Sequence, residues 1–197
     1  QTCALPIYEQ TTRRTGRGGR LTLPVAALGV AISGYVGVEM GVSNWIVRFL
    51  SSADAALANG ALGLYWAGLA AGRLIGIPIG DRFDHLRLAI ASTLGCSITI
   101  LAAVLVPWLP ASIGLFALAG VFSGPIFPLV MAVGGERFPD RSAAMSGTLA
   151  AAAFTGSLAY PPLMGLISVT VGLPAAMAGT GVLALATAGA LVVAGRT

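Results

Sequence analysis

A few polar groups stand inside stretches that are otherwise apolar, and their chemistry is that of a membrane interior. Glu39 has Tyr35 four residues before it and Ser43 four residues after it, a spacing that puts all three on one helical face. A carboxylate in that setting cannot face lipid. It either lines a polar cavity, where it binds solute or carries a proton, or is a structural acid satisfied by a neighbouring helix. Arg73 sits in a second apolar stretch, too deep to be accommodated unless it is paired or meets water, and it is a candidate partner for Glu39. Asn44 and Arg48 form a further i, i+4 pair with Trp45 beside them. There the simpler reading is that Arg48 extends to the interface while Trp45 anchors at it.

Catalytic chemistry has no comparable footing. His85 has no second His or Cys nearby to share a metal with, so neither a metal site nor a cofactor is expected. Cys96 reads as a small buried thiol within an apolar stretch. No Gly-x-Ser-x-Gly elbow, phosphate-cradling loop or suitably placed carboxylate pair is found. An enzyme is the weaker class.

The elements that must position these groups are membrane spans. Of 197 residues, 56% are hydrophobic and 9% charged, whereas soluble domains carry about 25% charged residues. Apolar stretches of about 20 residues, each enough to cross a hydrocarbon core, place six spans. These are Leu21–Phe49, Asn59–Ile79, Leu88–Val106, Ser112–Val133, Ala143–Ser168 and Leu173–Ala194. The expected fold class is therefore all-α: a polytopic membrane bundle of six transmembrane helices. A nucleic-acid partner is not expected despite the net charge of +4, because the basicity has a membrane explanation. All basic residues are arginines. Arg82, Arg87, Arg137, Arg141 and Arg196 fall on one side of the membrane, joined by Arg13, Arg14, Arg17 and Arg20 before the first span. The opposite connections carry only Asp54. By the positive-inside bias, both termini are expected in the cytoplasm of a multi-pass protein of the cell (inner) membrane.

Within the second span, Gly68, Gly72, Gly76 and Gly80 form an unbroken small-residue row that allows close approach of another helix. Gly124-Pro125-Ile126-Phe127-Pro128 in the fourth span and Tyr160-Pro161-Pro162 in the fifth predict interrupted helices. The carbonyls that proline frees are tolerable only against protein or a wet cavity. Interrupted helices with small, close-packed faces suit the moving parts of a transporter.

The chain opens on Gln1 rather than Met, and Ala4-Leu5-Pro6-Ile7 reads like a translated sequencing-adapter end. Residues 1–20 are accordingly expected to be a cytoplasmic segment that is in part an assembly artefact, Cys3 with it, ahead of the six-helix unit at residues 21–197. The true upstream chain is expected to be missing.

Two loops carry a family resemblance. Gly76-Ile77-Pro78-Ile79-Gly80-Asp81-Arg82-Phe83 resembles the Gly-x-x-x-Asp-Arg-x-Gly-Arg-Arg signature of the major facilitator superfamily, with Asp84 at the later Gly and His85 and Arg87 in place of the basic pair. Glu136-Arg137-Phe138-Pro139-Asp140-Arg141-Ser142-Ala143 is similar to the Glu-x-x-Pro-x-x-x-Arg-Gly-x-Ala pattern that the same superfamily places on the same face, with a shortened Pro to Arg spacing. Apart from the likeness of the Gly-Asp-Arg-Phe and Gly-Glu-Arg-Phe loops, no extended internal repeat is found.

The resemblance implies the C-terminal six-helix half of a twelve-helix transporter, partnered by the lipid bilayer, a missing N-terminal half and a small-molecule substrate. Tyr35-Val36-Gly37-Val38-Glu39, Trp45, Tyr65-Trp66-Ala67-Gly68 and Gly72-Arg73 are similar in style to the fucose and glucose/galactose permease branch. That likeness implies a sugar substrate and symport with protons. Substrate-cavity candidates are then Tyr35, Glu39, Ser43, Asn44, Tyr65 and Arg73. Asp81, Arg82, Glu136 and Arg141 would form a cytoplasmic latch whose charge pairs break on opening, with Asp81 near the positive N-terminal end of the fifth span. The alternatives are a drug or amphiphile exporter of the same superfamily, or a stand-alone six-helix membrane scaffold.

Overall fold

The computed structural model describes residues 22–51 and 54–196. The N-terminal segment with its arginines, Cys3 and Leu21 lie outside the described residues. The chain forms α1 (Leu23–Phe49), α2 (Ala55–Gly80), α3 (His85–Leu105), α4 (Leu109–Ser123), α5 (Ile126–Arg137), a 3-10 turn at Pro139–Arg141, α6 (Ser142–Thr170) and α7 (Leu173–Arg196). Together, α4 and α5 make one span, giving six helical segments long and apolar enough to cross a membrane. Among the described residues there is no strand. The protein is an all-helical multi-pass membrane bundle.

Several ends lie outside the apolar runs that revealed the spans. Asp84 caps α3, its carboxylate accepting from the Arg87 backbone N–H at 2.8 Å, so the helix begins at His85 rather than Leu88. Of the two expected interruptions, the first is present. α4 ends at Ser123 and α5 begins at Ile126, with Gly124 and Pro125 between them. Pro125 and Pro128 have no N–H to offer the carbonyls of Val121 and Gly124. The second interruption is not: α6 runs continuously through Pro161 and Pro162. Those prolines remove two neighbouring ladder bonds, and the intact ladder on either side carries the helix through.

Close approach at glycine organises the packing. A Cβ on Gly68 or Gly72 would overlap the carbonyl oxygen of Ala117 or Val121 in α4, and one on Gly76 would meet Pro125 Cβ at 2.8 Å. Gly120 of α4 and Gly124 just after it stand equally tight against the backbone of α2 at Tyr65 and Leu69. The glycine row of the second span is therefore a helix-packing seam, with Gly80 at its looser end. On the other side of the bundle, Gly156 of α6 fits against the backbone of α1 at Ser33.

These contacts form a repeated scheme. The first span packs on α6 and α7, while the fourth packs on α2 and α3, and α3 and α7 pack on each other. Exchanging the first three spans for the last three reproduces the pattern, with each span swapped for one of opposite direction. This inverted repeat, invisible in the residues, is plain in the packing.

Candidate functional site

Midway along α1, the three residues of the Glu39 face are joined. The Tyr35 hydroxyl donates to Glu39 Oε2, and Ser43 Oγ donates to the Glu39 backbone carbonyl at 2.7 Å. Tyr35 and Glu39 are buried. The carboxylate thus takes its hydrogen bond from its own helix.

Glu39 also lines a cavity of about 500 Å³ with Val36 of α1, Arg73 of α2, Phe127 of α5, and Phe154 and Ser157 of α6. The helix break places Phe127 there, since α5 starts one residue earlier. Arg73 is brought to the same cavity as Glu39 but not to its carboxylate. It is exposed, and among the described residues no acid lies within 4.0 Å of it.

The remaining cavity candidates lie off that wall. Tyr65 is fully buried. Ser43 is half-buried and Asn44 exposed one turn beyond Glu39. Arg48 lies over the Trp45 ring, 5.7 Å from its centroid. Cys96 is buried with its Sγ 3.2 Å from Ser123 Oγ.

A second hollow, about 620 Å³, opens between α1, α6 and α7 and is walled mainly by glycine, alanine and aliphatic side chains. Its polar groups are paired: Ser33 Oγ and Thr155 Oγ1 are 2.9 Å apart, and the Tyr160 hydroxyl donates to Thr180 Oγ1 at 3.1 Å.

At the arginine-bearing end, His85 Nδ1 lies 2.6 Å from Glu136 Oε1, tying the start of α3 to the end of α5. Arg137 donates to the Ala194 carbonyl near the end of α7. Asp81 and Arg82 follow α2 directly, and Arg141 closes the 3-10 turn. Among the described residues, none of these three makes an ion pair within 4.0 Å. Among the described residues the partner of Glu136 is therefore His85, a pairing that the sequence did not suggest. The signal available was the substitution of His85 into a motif position expected to be basic.

The sequence model of the family described as Major Facilitator Superfamily matches residues 22–196, nearly the whole chain. A search of curated proteins gives no match.

Proposed function

The chain belongs to the major facilitator superfamily, and from that premise we propose that it is the C-terminal six-helix half of a secondary active transporter for a small polar organic solute. The observation that carries this reading is that Glu39 and Arg73 line one cavity and both lie within membrane-spanning helices, where charged groups are otherwise costly. A transporter needs such a site between two halves that rock against each other. The interrupted fourth span and the glycine seam supply a wall able to shift as a unit. The permease likeness favours a sugar as that solute, with protons as the coupling ion and both termini in the cytoplasm.

Asp81, Arg82, Glu136 and Arg141 form the latch in this reading, with the ion-pair partners of Asp81, Arg82 and Arg141 supplied by the other half. Closing such charges in one state and separating them in the other biases a two-state equilibrium. Solute binding and proteoliposome uptake, measured side by side on the complete protein, test the assignment. Asp81→Asn is expected to leave binding in place and slow uptake several-fold. Loss of binding with unchanged uptake per bound solute would assign Asp81 to the cavity and sink the latch.

A further inference from the structure

The cavity holding Glu39 and Arg73 contains two opposite charges that do not neutralise each other. Glu39 stands about 24 Å along α1 from its N-terminal end, and Arg73 about 10 Å along α2 from its C-terminal end on the same side of the bundle, at about 1.5 Å rise per residue. Side chains lean toward the N-terminus of their helix. Because α1 and α2 run in opposite directions, Glu39 and Arg73 lean toward each other across the cavity. Even so, no ion pair within 4.0 Å joins them. Tyr35 holds one carboxylate oxygen of Glu39, while the Arg73 guanidinium has no acidic partner among the described residues.

Glu39 is buried, and Arg73, though exposed in this half, lies within an apolar span, so each charge is costly until something complements it. A neutral solute satisfies neither fully. A simple anion gains Arg73 and is repelled by Glu39, and a simple cation does the reverse. We propose that this cavity recognises a zwitterion, a solute bearing both a carboxylate and an ammonium group, as a free amino acid does. The planar guanidinium fork of Arg73 takes the carboxylate, and Glu39 accepts from the ammonium. Val36, Phe127 and Phe154 line the same cavity with apolar surface, which suits an aliphatic or aromatic side chain. The inference rests on the transport reading and names the solute class for that same site.

Four probes separate the charge requirements: leucine with both charges, N-acetylleucine with the carboxylate only, leucinamide with the ammonium only, and L-fucose with neither. Thermal stabilisation of the purified complete transporter in nanodiscs reads their binding. Leucine is expected to half-saturate at a concentration about tenfold or more below those of the two single-charge analogues, from the strength of one charge-assisted hydrogen bond at each end. R73Q is expected to weaken leucine while sparing leucinamide, E39Q to weaken leucine while sparing N-acetylleucine, and R73K to retain part of the leucine response.

Equal binding of leucine and either analogue overturns the proposal, as does a response to L-fucose alone or to none of the four. The comparison on unaltered protein holds even where a variant fails to fold. Uptake of L-fucose without leucine binding would leave the transport reading standing and remove this inference. The expected charge dependence of binding, without uptake into proteoliposomes, would do the opposite.

Discussion

Glu39 shows how a buried charge can be satisfied locally. Its carboxylate accepts from Tyr35 one turn earlier, while Ser43 donates to the backbone carbonyl of Glu39, so the two hydroxyls are not equivalent. Tyr35→Phe leaves a buried carboxylate oxygen short of a donor, a loss worth about 1–3 kcal/mol. Ser43→Ala removes a second donor from a carbonyl that the helix ladder already serves, and is expected to be near neutral. Thermal unfolding in detergent should therefore separate the two, with a clearly lower midpoint for Tyr35→Phe only; equal midpoints would mean that Tyr35 is not what satisfies Glu39. The shared face of these residues was legible because a four-residue spacing fixes helical neighbours. The pairing of His85 with Glu136 was not, since those positions are 51 residues apart and only the folded α3 and α5 bring them together.

At the level of elements, glycine decides which helices touch. The row at four-residue spacing announced a close crossing, but the sequence did not name the opposing helix; α4 meets it with Gly120, joined by Gly124 just beyond its end. The apolar runs located every span because lipid imposes a minimum length. They misjudged ends such as His85, where a capped helix continues past the hydrocarbon boundary. Proline was an uneven guide. Each pair of prolines removes two ladder bonds, but Pro125 lies beside Gly124 where α2 crosses and the helix breaks there, whereas α6 persists through the adjacent Pro161 and Pro162. The crossing predicts a sharp contrast between two glycines. Gly72→Ala drives a Cβ into the Val121 carbonyl, a rigid backbone atom, while Gly114 has no atom within 4 Å of such a Cβ. Overpacking of that kind costs about 1–3 kcal/mol. Gly72→Ala is expected to lower the unfolding midpoint and Gly114→Ala to leave it unchanged or raise it slightly. Matching midpoints would show that α2 and α4 can separate without loss.

Over the whole molecule, burial is distributed unevenly, and the two least buried spans are also the two least apolar. The most apolar windows of α1 and the fourth span are 56% buried, those of α2 and α6 only 22%. The inverted repeat makes α2 and α6 counterparts, so their shared openness is a property of the architecture. Each also carries glycines in its first third with no atom within 4 Å of an added Cβ: Gly60 and Gly63 in α2, Gly147 in α6. Glycine lowers helix stability by about 1 kcal/mol relative to alanine, so the cost has no return within this half. It gains a purpose if the proposed second half packs closely on both helices, as small residues permit between membrane helices. The expected outcome is a separation of folding from transport. Leucine at Gly63 or Gly147 should leave insertion and the unfolding midpoint of the six-helix half unchanged, while reducing uptake by the complete transporter at least several-fold. Uptake at the unaltered rate with leucine at both positions would show that these faces meet only lipid, and that the second half, if present, packs elsewhere.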